Sequence, residues 1–308
     1  MRDQLLGDTT AGVWTTADAI AAGLSEQEIA GRVEAGLWQR LRRGVFCDGG
    51  VVASPRMRGW AAVLAAGGVG HAYATGRTTL RLLALPLIDD DDPATEAADL
   101  VHDDVVVLDR HRSRATLHPV HRQVPVEQRC RIGGCPSLQP VAAMVDAARV
   151  LSLEALVCVL DAALHRELVT PESLHALVAA SAGCRGVHRL RMAVALADGR
   201  AEAPTETLGR LLLQPLVPGL TPQVQVCDRS ARPIARLDLG DERLRLAVEA
   251  DGRSTHTGMA ADDHRRDRRV GAFGWHTERY TWFEVRRQPA ALQARILAVA
   301  TRLERRAA

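Results

Sequence analysis

Apolar and polar residues alternate in two short runs in the last third of the chain. Residues 234–239 (IARLDL) and 243–250 (RLRLAVEA) both alternate, and Gly-Asp-Glu separates them. Because a period of two places every second side chain on one face of a strand, residues 233–256 are expected to contain a β-hairpin. Asp238 lies near the end of its first strand, and Glu249 and Asp251 lie near the end of its second. The hairpin is therefore expected to bring three carboxylates to one edge of a sheet.

The elements around this hairpin follow the order α-β-β-β-α-β. A helical period begins at PTETLGRLLLQPLV and places Glu206 in the first turn of that helix. A strand, PQVQVCD, precedes the hairpin, and a polar helix, AADDHRRDRRVGAF, follows it. The strand WHTERY and the amphipathic helix PAALQARILAVATRLERR close the chain. Residues 200–308 are thus predicted to form one α/β domain.

The opening of the chain predicts a different unit, residues 1–53. Ser25 and Glu28 have the spacing of a capping box, so a second helix is expected to begin there after a short first one. Gly36 ends that helix, and LWQRLRRGVFC reads as a strand pair carrying Arg40, Arg42 and Arg43. Helix, turn, helix and basic β-wing is the order of a winged helix-turn-helix, whose arginines would bind DNA phosphates. A small helical subdomain with a solvated basic strand remains the alternative.

Residues 54–199 are predicted to be a mainly helical connector. Ser54 and Pro55 form a cap followed by proline at the first helical position, and the spacing from 140 to 197 is helical. The runs VVVLDRH and HPVHRQVP between them read as strands. The fold class is therefore α+β and multidomain: a winged helix-turn-helix, a helical and β connector, and a C-terminal α/β core.

Composition narrows the choice of function only slightly. The chain has 308 residues, more than one core usually accommodates, and its net charge of +2 does not select nucleic acid. All 39 basic residues are arginine, which indicates a GC-rich genome as much as a function. The six cysteines form no C-x-x-C pair, so neither a zinc site nor a disulfide framework is expected. With no long apolar run, we expect a soluble cytoplasmic protein with no membrane partner.

The three carboxylates of the hairpin suggest a hard-metal site. Asp238, Glu249 and Asp251 would repel one another at a strand end unless a cation lay between them. Carboxylate oxygens are the ligands that Mg²⁺ prefers, and Mn²⁺ accepts the same set. A surface loop of unpartnered acids is the alternative interpretation.

The N-terminal half resembles a known family. Residues 12–50, GVWTTADAIAAGLSEQEIAGRVEAGLWQRLRRGVFCDGG, look like the winged helix of AbiEi-family antitoxins from type IV toxin–antitoxin systems. The resemblance continues to about residue 200, although Gln139-Pro140-Val141-Ala142 departs from the relatives' pattern. It implies DNA as a partner and a cognate toxin as a second one.

The C-terminal residues resemble very-short-patch-repair endonucleases, within the PD-(D/E)XK superfamily of restriction-endonuclease folds. The resemblance rests on Glu206, Asp238, the tetrad at 249–252, His256, and Gly274, Trp275, Arg279 and Trp282. It implies Mg²⁺ on Asp238 and Glu249, a water oriented by Glu206, and proton transfer by His256, whose ordinary pKa near neutrality suits that role. The superfamily usually has lysine two residues after the second acid. Here Asp251 occupies that position, and it would either join the metal site or mark a site that no longer cuts.

Two interpretations also remain for the arginines of the C-terminal domain. Arg265 and Arg269 follow the acids on a polar helix, and Arg279 lies on the next strand. They would contact phosphate beside the acids, or they form a solvated face offset by neighbouring aspartates. Two functions therefore compete: a Mg²⁺-dependent DNA endonuclease and a non-catalytic autoregulator or antitoxin.

Overall fold

The computed structural model describes residues 10–88, 103–108, 118–228, 230–251 and 268–307 and is a mixed α+β structure. In this part of the chain no helix is both long and apolar enough to cross a membrane. The elements, in order, are β1 (Trp14–Thr15), α1 (Thr16–Ala21), α2 (Glu26–Glu34), β2 (Trp38–Arg42), β3 (Val45–Asp48), α3 (Pro55–Ala65), β4 (Ala72–Ala74), α4 (Gly76–Leu82), β5 (Asp104–Val107), β6 (His118–His121), a 3₁₀ turn (Val126–Gln128), β7 (Arg129–Ile132), β8 (Cys135–Leu138), α5 (Pro140–Ala147), α6 (Leu153–His165), α7 (Pro171–Ala180), α8 (Val187–Leu196), α9 (Pro204–Leu213), β9 (Thr221–Cys227), β10 (Pro233–Asp241), β11 (Leu246–Asp251), β12 (His276–Thr281), α10 (Trp282–Arg287) and α11 (Pro289–Ala307).

The chain divides into two compact units. The first comprises residues 1–159 and 168–192, and the second comprises 160–167 and 193–308. Helix α6 contributes residues to both units. The predicted boundary after residue 53 therefore does not separate two compact bodies, and the second boundary falls a few residues before the predicted one.

Residues 10–48 form the predicted helices and strand pair. Both short helices begin with a capping box, from Thr15 to Asp18 and from Ser25 to Glu28. β3 lies between β1 and β2 in an antiparallel three-stranded sheet. The rings of Trp14 and Trp38 lie 5.0 Å apart at the centre of a small core. The predicted order of elements is confirmed here, with β1 as an addition.

This small sheet shares a core with the residues that follow it. Val13 and Val45 belong to the same buried cluster as Trp60 on α3 and Val105 on β5. A continuous core makes folding of the two segments interdependent, which explains why residue 53 is not a unit boundary.

The middle of the chain contains a five-stranded sheet, in which β5 and β6 fall on the two runs predicted as strands, while β4, β7 and β8 were not predicted in the mainly helical connector. The strand order is β6-β5-β4-β8-β7, with parallel and antiparallel neighbours. Strand β5 is buried at all four positions. A strand covered on both faces shows no alternation, and the other strands have only three or four residues, so periodicity detects them poorly.

The second unit is built on the sheet β12-β11-β10-β9. Strands β9, β10 and β11 run antiparallel, and β11 pairs parallel with β12. The predicted hairpin and closing strand are confirmed. Helix α9 is anchored by buried Asp161, which accepts hydrogen bonds from Thr207 Oγ1 at 2.8 Å and Arg210 at 2.9 Å.

Helix α9 approaches β12 closely at Gly209. A Cβ on this glycine would lie 1.9 Å from the hydroxyl oxygen of Tyr280, which is itself fully buried. Only a residue without a side chain fits here, so this glycine sets the distance between the helix and the sheet.

We expect Gly209→Ala to lower the free energy of unfolding of the second unit by about 1–3 kcal/mol, the usual cost of overpacking a filled core. Urea denaturation followed by circular dichroism measures it. Gly271→Ala is the matched control, because nothing lies within 4 Å of a Cβ there. Equal stability of the two variants would contradict the close approach.

Candidate carboxylate site in the C-terminal unit

The ends of strands β10 and β11 bring two of the predicted acids together. Leu239 pairs with Val248 in the antiparallel ladder, so Asp238 and Glu249 come next on the neighbouring strands. Oδ2 of Asp238 accepts a hydrogen bond of 2.9 Å from the backbone N–H of Ala250. Glu249 is 6% exposed. The side chain of Asp238 is thus oriented towards the strand that carries Glu249.

Helix α9 adds Glu206 to the same region. Oε2 of Glu206 accepts hydrogen bonds from the backbone N–H of Glu202 at 3.0 Å and from Nε2 of Gln223 at 3.1 Å. Burial raises the pKa of Glu206, and the negative charges of Asp238 and Glu202 raise it further, against the effect of the Glu202 hydrogen bond and Arg236. Glu206 therefore holds a proton more readily than an ordinary glutamate.

Tyr280 on β12 is buried within the electrostatic influence of three of the predicted acids. Its hydroxyl donates a hydrogen bond of 3.1 Å to the carbonyl oxygen of Thr205. Burial raises the pKa of Tyr280 well above its ordinary value, and the charges of Asp238, Glu206 and Glu249 each raise it further. A phenol in this environment stays protonated and acts as a hydrogen-bond donor.

The chemistry of these donors fits a hard divalent cation. Asp238, Glu206 and Glu249 supply only carboxylate oxygens, and the carboxylate repulsion that adds to burial in raising the pKa of Glu206 is what a cation would relieve. Within the described ranges, however, no three His, Cys, Asp or Glu side chains already form a group that could hold a metal ion. The carboxylates are therefore close enough to affect one another's charge, but they do not form a complete set of metal ligands among the described residues.

The remaining predicted acids and bases are placed differently. Asp251 is exposed at the last position of β11 and pairs with Thr281. It does not appear among the charges that act on Glu206 or Tyr280. His256 and Arg265 lie outside the described residues, so their predicted roles stay predictions.

Of the three arginines predicted to contact phosphate in the C-terminal domain, Arg269 and Arg279 are among the described residues, and they lie on different elements. Arg269 is exposed on the short helical segment 268–272. Arg279 is half-buried on β12, and the parallel register places it directly beside Glu249. This position next to an acid was not evident from the sequence, where Arg279 was predicted to contact phosphate.

The N-terminal arginines divide into two groups. Arg40 and Arg43 are exposed on β2 and in the turn before β3, and the guanidinium of Arg40 lies 5.8 Å from the ring centre of Phe46. Arg42 instead forms an ion pair with buried Asp103. That contact holds the charge of Arg42 within the fold, so Arg40 and Arg43 are the exposed members of the predicted phosphate-binding set.

Sequence reasoning did not single out Gln223 or Tyr280. Gln223 has a φ of +58°, rare for a residue with a side chain, and its Oε1 is buried with no hydrogen-bond partner among the described residues. Tyr280 reads in the sequence as an ordinary strand aromatic. The sequence indicated only that both residues lie on strands adjacent to the hairpin that carries the predicted acids.

Comparison with known proteins gives relatives without an assigned activity. No family model matches the chain. It is 30% identical over 181 residues to two Mycobacterium tuberculosis proteins, "Uncharacterized protein MT2308" of strain CDC 1551 / Oshkosh and "Uncharacterized protein Rv2248" of strain ATCC 25618 / H37Rv. The aligned stretch covers 58% of this chain and 66% of each relative, just under two thirds of their length.

The raised pKa of Glu206 predicts a dependence of stability on pH. Because the folded-state pKa lies above the unfolded value, the proton stabilises the fold below the unfolded pKa, and that stabilisation is lost as pH rises through the folded pKa. We therefore expect Glu206→Gln to become increasingly more stable than the wild type as pH rises from the ordinary glutamate value towards neutrality. Chemical denaturation across that range, without divalent cations, measures the difference.

Glu284→Gln provides a control of opposite sign. Burial acts to raise the pKa of Glu284, but hydrogen bonds from Thr281 and the charge of Arg295 together lower it. This substitution should cost stability above the ordinary pKa of glutamate. If the difference in unfolding free energy from the wild type changes with pH in the same direction for both variants, the carboxylate repulsion at Glu206 is not present.

Proposed function

We propose that the chain is a DNA-binding protein whose second unit is a Mg²⁺- or Mn²⁺-dependent DNA endonuclease. The observation that carries the proposal is the register that sets Asp238 opposite Glu249 on β10 and β11, with the negative charges of both and of Glu206 acting on the buried Tyr280. The acids come from two neighbouring strands and one flanking helix, and the order α9-β9-β10-β11, with a helical segment at 268–272 before β12, resembles that of restriction-endonuclease folds. Acidic side chains without a function are seldom buried in this way, because removing a carboxylate from water costs stability.

Asp238 and Glu249 would hold the cation, which when bound polarises a water and the scissile phosphate. The hydrogen bond from the Ala250 N–H to Oδ2 orients the carboxylate of Asp238. Glu206 has a raised pKa and is suited to accept a proton from water. Tyr280 stays neutral and links α9, the helix that carries Glu206, to β12 through the carbonyl of Thr205.

Cleavage should depend on Asp238. We expect the purified protein to nick or cut DNA with Mg²⁺ or Mn²⁺, to stop when EDTA is added, and to lose activity in Asp238→Asn. Glu206→Gln should slow the reaction by on the order of 10²–10⁴-fold if Glu206 takes up a proton. Glu242→Gln, an exposed acid in the turn after β10, is the control and should cut like the wild type.

A regulator that binds DNA without cutting is the second candidate. It is favoured by the absence of a finished three-ligand group among the described residues and by Asp251 in the position where the superfamily has lysine. Absence of cleavage on duplex, mismatched and single-stranded DNA, together with tight binding to its own promoter, would support this candidate over the nuclease.

DNA binding itself is assigned to the exposed arginines of the β2–β3 wing. Each phosphate contact releases condensed counterions, so Arg40→Ala with Arg43→Ala should reduce the slope of log affinity against log salt by about 2. Fluorescence anisotropy with a labelled duplex at several salt concentrations measures the slope. Arg305→Ala with Arg306→Ala removes the same charge from exposed positions at the end of α11 and serves as the control. An unchanged slope in the first pair would leave the wing as a solvated surface.

A further inference from the structure

The first unit contains a cleft that the proposed function does not use. Its volume is about 620 Å³, and it lies between the end of β6, helix α5, the end of α7 and the loop before α8. One side is apolar and is formed by Val120, Ala142, Val145, Leu177 and Ala180. A volume of this size suits a small organic molecule.

The charged residues of the lining carry a net positive charge. Arg122 donates to Oδ2 of Asp146 at 3.3 Å and to Oε1 of Gln128 at 3.2 Å. Arg149 lies 3.9 Å from Oδ1 of the same aspartate, and Arg185 is exposed on the loop before α8. The lining thus contains three arginines against one buried carboxylate, Asp146, and one exposed carboxylate, Glu127.

His121, at the end of β6, contributes a polar atom that lacks a partner. Its Nδ1 is buried and makes no hydrogen bond among the described residues. A buried polar atom without a partner costs free energy, so a ligand group that pairs with it gains affinity.

The mouth of the cleft is fixed by close packing. Gly186 has a φ of +89°, and a Cβ there would lie 2.8 Å from the carbonyl oxygen of Ala148 at the end of α5. Arg189 also donates to that carbonyl at 3.0 Å and to the carbonyl of Leu151 at 2.8 Å. Cys184 and Arg185 are therefore held beside the cleft by the adjoining backbone.

We propose that this cleft binds a small amphipathic organic anion, with a carboxylate or phosphate against Arg122, Arg149 and Arg185 and an apolar body against the wall of α5 and α7. Guanidinium groups pair with either anion through charge-assisted hydrogen bonds. Inorganic phosphate lacks the apolar body and is expected to bind more weakly.

Anilinonaphthalene sulfonate, a fluorescent amphipathic anion, tests the proposal on the full chain. We expect saturable binding that weakens by about tenfold in Arg185→Gln, since a hydrogen bond to a charged group is worth about one decade in affinity. Arg185 makes no hydrogen bond or ion pair with the described residues, so this variant should fold normally. Ala180→Glu, at an exposed position on α7, should abolish binding by adding negative charge to the wall. Arg191→Gln, exposed on α8 outside the cleft lining, is the matched control and should bind like the wild type.

Competition identifies the ligand chemistry. Indoleacetate and adenosine monophosphate should displace the dye, whereas the neutral tryptophol and adenosine should not. Displacement by the phosphate ester alone points to a nucleotide, and displacement by the carboxylate alone points to an organic acid. If duplex DNA displaces the dye and Arg185→Gln weakens DNA binding equally, the arginines belong to the DNA interface and the proposal fails.

Alkylation of Cys184 gives an independent readout. This free thiol is exposed and lines the cleft, whereas Cys227 is exposed elsewhere. Indoleacetate or adenosine monophosphate should slow the reaction of Cys184 with iodoacetamide and leave Cys227 unaffected. Unchanged dye affinity in both Arg185→Gln and Ala180→Glu, with no protection of Cys184, would overturn the proposal.

Discussion

The second unit depends on one electrostatic constraint, the convergence of three negative charges around a buried phenol. Burial is the largest cause of the raised pKa of Tyr280, and the charges of Asp238, Glu206 and Glu249 raise it further; burial also comes first for the raised pKa of Glu206, followed among the raising causes by the charge of Asp238. In a partly desolvated site the repulsion between the ionised carboxylates themselves opposes folding unless a proton or a cation compensates it. Tyr280 cannot move away, because α9 approaches β12 through Gly209 and accepts the phenol hydrogen bond at Thr205. The arrangement therefore stores a repulsion that binding of a divalent cation would relieve.

Arginine serves both structure and the proposed DNA contacts in this lysine-free chain. In the first unit Arg42 neutralises buried Asp103, while Arg40 and Arg43, next to it in sequence, remain exposed. The planar guanidinium suits both a buried ion pair and a phosphate contact. The number of clustered arginines in the sequence is thus larger than the number that can contact phosphate, because only the exposed ones are accessible to DNA.

Local signals in the sequence predicted much of the fold and part of the candidate site. The capping box at Ser25 and the period of two around Asp238 located a helix and a hairpin, because both signals arise from neighbouring residues. In the middle sheet, β5 and β6 were predicted from their apolar runs, whereas β4, β7 and β8 have only three or four residues each and show no clear period. Tyr280 and Gln223 could not be predicted from the sequence for another reason. Their roles depend on α9 packing against the sheet and on a positive φ, and both result from tertiary structure.

Binding of Mn²⁺ to the full chain tests the central claim most directly. Mn²⁺ accepts the oxygen ligands of Mg²⁺ and is observed by electron paramagnetic resonance without any need for DNA or turnover. The account predicts a site at neutral pH that Mg²⁺ displaces, and that Asp238→Asn and Glu249→Gln each weaken while Glu242→Gln does not. Absence of Mn²⁺ binding, or binding that survives both substitutions, would contradict a cation site among these carboxylates.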